Sequence, residues 1–372
     1  MAARVTIQDI ADSLGLSRNT VSKAINNTGV LADATREKIL HKAVEMGYKQ
    51  FSYVSLSPSK TESGAEPILS VRSSTVDTAE VPSPPRRGGT IALFSTMFLG
   101  TSHFSSTMLD RMQNELSSLG FGLTMHRVTS ENLKNLTLPN SFSREHSDAI
   151  ICFEVFHQEY SDMICSLDLP VLFVDAPVSR NGDILKADRL IMDNRSNINA
   201  FVNEMARRGK SRIGYIGNPF HCTSFYERYI SIAEALFMLK LPFHEEYCIL
   251  GEKNTEEPSG AEEYLEYLVK QLGSMKELPD VFICSNDFIA LDVLQAMKQL
   301  HISVPKDVLL CGFDDSPESR ILTPQLTTIH IHSQIMGFSA VQLLMSRIHN
   351  PGMNYRTVYT ETTLIYRGST GD

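Results

Sequence analysis

The sequence predicts an all-α helix-turn-helix head over residues 1–50 and, from residue 90 onward, an α/β body of two doubly wound parallel-sheet lobes. Three observations predict it. The first fifty residues carry apolar stripes at helical spacing, separated by capping residues. Residues 51–89 change composition and leave little to pack. Beyond them, short runs apolar on both faces alternate with amphipathic helices, as strands covered on both sides require.

In the head, Thr6 stands as N-cap with Asp9 in the capping-box position, before the stripe Ile7, Ile10, Ala11 and Leu14. Gly15 ends this helix where a positive φ is needed. Leu16 anchors the turn. Ser17 caps a second helix, Arg18 to Asn26, with Val21, Ala24 and Ile25 facing inward. A third, from about Ala34 to Met46, offers Ile39, Leu40, Ala43 and Val44 to the same core and stops at Gly47-Tyr48.

The linker is marked by Ser57-Pro58-Ser59, Ser63-Gly64 and Val81-Pro82-Ser83-Pro84-Pro85, a flexible, partly extended composition. In the body, strands are expected at 90–94, 149–153, 171–174, 212–216, 281–284 and 308–311. A helix with the stripe Met108, Leu109, Met112, Leu116 and Leu119 follows the first of them. About 280 residues exceed one ordinary sheet domain, so two lobes are expected.

Of the 372 residues, 42% are hydrophobic and 21% charged, an ordinary globular balance. No apolar run approaches the ~20 residues needed to span a bilayer, and Met1-Ala2-Ala3-Arg4-Val5-Thr6 lacks a signal peptide's apolar core. A cytoplasmic protein with no membrane partner is expected. Cys152, Cys165, Cys222, Cys248, Cys284 and Cys311 form no CxxC pair and no zinc-like spacing with histidine, so they are expected to be small, reduced core residues. No metal and no cofactor are expected. There is also no Walker loop, nucleophile elbow or GxGxxG, which argues against an enzyme.

The net charge of −9 argues against nucleic acid until its distribution is considered. Residues 1–50 set Arg4, Arg18, Lys23, Arg36, Lys38, Lys42 and Lys49 against Asp9, Asp12, Asp33, Glu37 and Glu45, a net +2, which leaves −11 for the remainder. A slightly basic head on an acidic body fits a small DNA reader joined to a sensor. On the second helix, Arg18 and Lys23 can donate to guanine O6/N7, and Asn19 can pair with adenine N6/N7. Thr6, Ser17, Thr20, Ser22 and Asn26 are short polar groups suited to phosphate oxygens. Spacing alone leaves open a three-helix protein-interaction module with a solvated polar face.

Val5-Thr6-Ile7-Gln8-Asp9-Ile10-Ala11, Gly15-Leu16-Ser17, Thr20-Val21-Ser22-Lys23-Ala24-Ile25-Asn26 and Gly47-Tyr48 closely resemble the head of the lac repressor family. The resemblance implies DNA binding, with Arg18, Asn19 and Lys23 in the base-reading positions. One departure stands out. The family continues after Gly-Tyr with Pro-Asn and an Ala-Arg-x-Leu hinge helix whose leucine wedges into the minor groove. Here Lys49-Gln50-Phe51-Ser52-Tyr53-Val54-Ser55-Leu56-Ser57-Pro58 follows, with Leu56 as the one candidate wedge and Pro58 as a helix stop.

The resemblance extends over about 90–368. Pro170-Val171-Leu172-Phe173-Val174-Asp175 is similar to the strand that delivers a ligand-contacting carboxylate, and Met192-Asp193-Asn194 to the first crossing between lobes. Arg207 to Gly217 resembles the family's Gly-His-x-x-Ile stretch, with Lys210 replacing the histidine. Ser285-Asn286-Asp287, Gly312-Phe313-Asp314-Asp315 and Leu326-Thr327-Thr328-Ile329 complete the series. A periplasmic-binding-protein-like sensor is implied, with one lobe at about 90–193 and 330–358 and the other at about 194–328 and 359–372. In open parallel sheets, ligands bind beyond the carboxyl ends of strands, and Asp175, Asn286 and Asp314 each follow one.

The effector-binding set implied is Asp175, Arg228, Asn286 and Asp314, with Phe104 and Phe220 as apolar walls. Two carboxylates, an amide and a guanidinium suit a polyhydroxylated ligand. A sugar is expected, although the scaffold also serves nucleobase-type ligands. Structural alternatives stand beside each residue: Asp314 and Asp315 could close a turn, and Asn286 and Asp287 could cap a helix. The functional expectation is a homodimeric repressor of a pseudo-palindromic operator, controlled by the effector. The alternative is a sugar-binding protein whose head no longer binds DNA.

Overall fold

The computed structural model describes residues 5–25, 35, 38–39, 42–43, 45–46, 48, 88–96, 103–179, 182, 184–251 and 260–372. In the head, the helix Ile7–Leu14 opens on a capping box in which Thr6 and Asp9 satisfy each other's backbone N–H groups. It closes at Gly15 with φ 64°, a conformation that costs glycine least. The second helix is Arg18–Ile25, and its cap is Ser17, whose Oγ accepts the Thr20 N–H at 3.0 Å. Residues 35, 38–39, 42–43 and 45 are helical, as the third stripe requires. Ile10, Ala11, Val21, Ala24, Ile25, Ile39, Ala43 and Tyr48 bury one core, and Ile335 and Phe338 of the body pack into the same cluster. The linker and Leu56 lie outside the described residues.

The body strands are β1 Gly89–Ser95, β2 Phe121–Arg127, β3 Ala149–Phe153, β4 Val171–Val174, β5 Asp188–Met192, β6 Ile213–Ile216, β7 Val281–Cys284, β8 Leu309–Cys311, β9 Thr328–Ile331, β10 Thr357–Thr360 and β11 Thr362–Ile365. One lobe holds a six-stranded, wholly parallel sheet in the order β10-β5-β4-β3-β1-β2. The other holds a parallel sheet in the order β6-β7-β8, extended by single bridges from Ile216 to Ile249 and from Cys311 to Thr327. β9 and β11 pair antiparallel.

The chain passes between lobes three times: from β5 into the helix Ser196–Arg207, from β9 into the helix Ser333–His349, and from β10 directly into β11. The third passage falls at Glu361, later than the sequence boundary at 358/359, because β10 stays paired with β5 through Thr360. At the start of the body, Gly89 belongs to β1 rather than to the linker, its strand partner being Phe121. Leu119 also departs from expectation. It is exposed beyond the end of the helix His103–Ser118, while Met108, Met112 and Leu116 are buried as their spacing requires.

Cys152, Cys222, Cys284 and Cys311 are buried, Cys165 and Cys248 half-buried, and all six are free thiols. Burial pushes the Cys152 thiol well up, with Cys165 beside it adding to the effect, so it is held as the neutral thiol. Among the described residues, no helix is long and apolar enough to cross a membrane.

Candidate effector cleft and DNA-reading helix

Arg228 is the centre of the body's polar architecture. It sits in the first half of the helix Thr223–Met238, is 2% exposed, and faces the first crossing. Its Nε donates to Asn194 Oδ1 at 2.9 Å, and Nη1 donates to the Ser285 carbonyl. The guanidinium lies over the Phe313 ring, 3.5 Å from its centroid. Asn194 in turn donates to Ser224 Oγ at 3.2 Å and to Glu227 Oε2 at 2.9 Å. One arginine thus ties the first crossing to the ends of β7 and β8. Its fork matches planar acceptors, and stacking on an aromatic ring adds cation–π attraction.

The strand ends converge on the same region. Glu154 follows β3, Asp175 follows β4 and Asp314 follows β8, all at positive φ: 55°, 58° and 115°. Such angles are uncommon for residues with a Cβ and cluster where function over-determines the backbone. The Asp314 N–H donates to the Ile329 carbonyl at 2.8 Å, fixing it to a crossing strand.

Burial pushes the Asp314 carboxyl up to about 7. Arg228 opposes that rise, and Glu154 adds to it. Burial likewise lifts Glu154 to about 7, with His221 opposing and Asp175 adding. Both residues are half-buried, so solvent still reaches part of each. No side-chain hydrogen bond or ion pair holds either carboxylate among the described residues.

The expected effector residues divide. Asp175, Arg228 and Asp314 come together across the cleft. Asp175 already has backbone partners: its Oδ1 accepts the Ala176 N–H at 2.8 Å and the Ser224 N–H at 3.2 Å, the latter at the start of the Arg228 helix. Asn286 caps the helix Asp287–Gln299 by accepting the Ile289 N–H at 3.0 Å, which is the structural alternative weighed for it. Phe220 is 50% exposed and stacks with Tyr226 at 6.4 Å, a rim position rather than a buried wall. Phe104 lies in the first turn of the helix His103–Ser118, and its side chain is outside the described residues.

Sequence reasoning missed Glu154, although an acid directly after an apolar strand is the signal that found Asp175 and Asp314. It also missed the role of Asp287. This carboxyl accepts from Thr328 Oγ1 at 2.6 Å and from the Ser316 N–H at 2.7 Å, and burial, with Asp314 nearby, raises it to about 8. A side chain at Gly312 would collide with it, which explains a glycine there.

In the head, Arg18 and Asn19 are exposed and Lys23 is half-buried on the face opposite Val21, Ala24 and Ile25. The Thr6 and Ser17 hydroxyls serve as helix caps, and the Ser17 and Thr20 hydroxyls are 2.8 Å apart. Ser22 is half-buried, and Asn26 lies outside the described residues.

These features define a two-lobed ligand-binding body carrying a helix-turn-helix head. Residues 6–50 match the bacterial regulatory proteins of the lacI family, and residues 202–370 match the periplasmic binding protein-like domain. The HTH-type transcriptional repressor PurR of Erwinia tasmaniensis is 25% identical over 99% of this chain and 97% of its own. The regulator CelR in complex with cellobiose superposes with a TM-score of 0.65 at 20% identity, covering 98% of this chain and all of that one. The lac repressor dimer bound to operator and the anti-inducer ONPF gives 0.61 at 17% identity, with 99% of both chains covered. The chain belongs to the lac repressor family of DNA-binding transcriptional regulators and is not an enzyme.

Proposed function

We propose that the chain is a repressor that binds a pseudo-palindromic operator as a homodimer and is controlled by a small molecule, of sugar class, held between the lobes. The observation that carries the reading is the gathering of Asp175, Asp314 and the buried Arg228 at the carboxyl ends of two parallel sheets joined by three crossings, with the Asp314 carboxylate unpaired among the described residues. A ligand bridging them would favour one lobe angle over another, and the spacing of two heads would follow. Asp175, Arg228 and Asp314 are the effector contacts on this reading. Asn286 contributes through its amide nitrogen, and Phe220 from the rim. Arg18, Asn19 and Lys23 read bases, while Thr6, Ser17, Thr20 and Ser22 meet phosphates. The cellobiose held by one structural neighbour supports a sugar.

The test is fluorescence anisotropy with a palindromic duplex from upstream of the chain's own gene. Specific binding should weaken steeply with salt. Arg18→Ala should cost about 1–3 kcal/mol and relax preference at one base pair in each half-site. Equal affinity for random duplex would sink the repressor reading and leave a sugar-binding protein with a silent head.

A further inference from the structure

The cleft's negative charge exceeds what the protein itself compensates. β3 and β4 are neighbours in the first sheet, so Glu154 and Asp175 emerge side by side from one edge, and Asp314 faces them from the other lobe. The groups interact: Asp175 and Asp314 are each in electrostatic contact with Glu154.

Among the described residues, two basic side chains act on this trio, Arg228 on Asp314 and His221 on Glu154. The Arg228 guanidinium is already committed to Asn194, the Ser285 carbonyl and the Phe313 ring. The His221 ring packs between Phe156 and Phe225, at 5.1 Å from each. Asp175 has two backbone N–H partners, but no described residue hydrogen-bonds or ion-pairs with the Glu154 carboxylate, although the Glu154 backbone carbonyl accepts from the Thr96 hydroxyl at 2.5 Å. Glu154 stands deep in the cleft, facing charged groups of both lobes.

We propose that Glu154 is a specificity-determining residue of the cleft, and that the cleft selects a polyol bearing a protonated amine over the neutral polyol. The proposal rests on the reading of the cleft as an effector site. The chemistry follows from what a ligand must bring. Neutral hydroxyls can donate to carboxylates but leave like charges facing one another, and two carboxylates sharing a site do not both ionise readily. An ammonium group cancels that repulsion. It makes charge-assisted hydrogen bonds to Glu154 and Asp314, which are shorter and about twice as strong as neutral ones. Phe156, two residues beyond Glu154, joins Phe225 and Phe313 in lining the region with aromatic rings, whose faces attract cations. The ligand's hydroxyls then fall to Asp175 and to the amide of Asn286.

The test is isothermal titration of the full chain, near neutral pH, with three matched pairs: glucose and glucosamine, galactose and galactosamine, mannose and mannosamine. In at least one pair the amino sugar should bind about tenfold tighter or more, the margin of a charged over a neutral hydrogen bond. N-acetylglucosamine, whose nitrogen carries no charge, should behave as the neutral member. Glu154→Gln should bring the ratio to within about twofold of unity, while Glu154→Asp, which keeps the charge, should retain a preference for the amine.

Three results would overturn the proposal: neutral sugars matching their amino counterparts in all pairs, a preference that survives Glu154→Gln, or no binding by any of the six. A neutral sugar or nucleobase that binds and alters operator affinity would overturn the amine selection and leave the effector reading intact. Absence of operator binding would remove the repressor reading and leave the sugar ratio to be judged on its own.

Discussion

Asp314 and Asp315 are adjacent in the chain and have opposite environments. Asp314 faces the cleft, and no described residue hydrogen-bonds or ion-pairs with its carboxylate. Asp315 points behind it and is saturated, accepting from Arg367 and Arg320 at 2.5 Å each and from His330 at 3.0 Å. Burial would raise the Asp315 carboxyl, but the bonds from His330, Arg320 and Arg367 outweigh it and hold the group far below the usual range. Asp188 repeats the second pattern at the far side of the first sheet. It is wholly buried and bonded to Arg347 at 2.9 and 3.0 Å and to the Arg356 N–H at 2.7 Å. Burial pushes it up, but the two arginines outweigh burial and lower it. The body therefore contains two kinds of acid. Struts are satisfied within the fold, and cleft acids are left for something else to satisfy.

The comparison can be broken or sharpened by substitution. The largest effect is expected at Asp188→Ala, which strands the buried Arg347 charge and should cost about 3–5 kcal/mol in denaturant unfolding. A loss under about 1 kcal/mol would show that the strut is not one. Asp315→Asn should cost less, about 1–3 kcal/mol, because the amide keeps one acceptor for Arg367 or Arg320.

The struts also set an acid limit. Their folded-state values lie below the unfolded ones, so their stabilisation is full above the ordinary carboxylate value near ~4 and is lost as pH falls below it. In melting experiments, Asp188→Asn should flatten that acid limb.

The smallest effect on stability is expected in the cleft. Near pH 6, below their raised values of about 7, Glu154 and Asp314 are mostly neutral, so Glu154→Gln and Asp314→Asn should change stability by less than about 1 kcal/mol.

Much of the fold was legible because burial on both faces leaves a plain trace. The runs 149–153, 171–174 and 281–284 are strands at those bounds and are buried throughout. The head was legible because Thr6, Asp9, Gly15 and Ser17 each meet a local backbone requirement. The strand Phe121–Arg127 was not legible. It is the sheet's edge, mostly exposed, and its Thr124, His126 and Arg127 give no apolar run. β10 and β11 are short and threonine-rich for the same reason.

In the site, strand-end acids could be read, but their partners could not. Little local distinguishes Asp314, unpaired among the described residues, from Asp315, because His330 and Arg367, which bond Asp315 together with Ser319 and Arg320, arrive from distant elements. Asn286 shows the converse, since its local role as a helix cap was visible, and that cap is what the structure records.

The claim that the cleft acids are uncompensated is tested most directly by the melting temperature of the ligand-free chain from about pH 5 to about pH 8. Folded values raised to about 7 lie above the unfolded ones, so the folded state holds protons that the unfolded chain has released, and stability falls as pH rises through this window. The wild-type chain should lose stability across it, and the Glu154→Gln/Asp314→Asn double variant should lose distinctly less. Identical slopes for the two proteins would contradict the account.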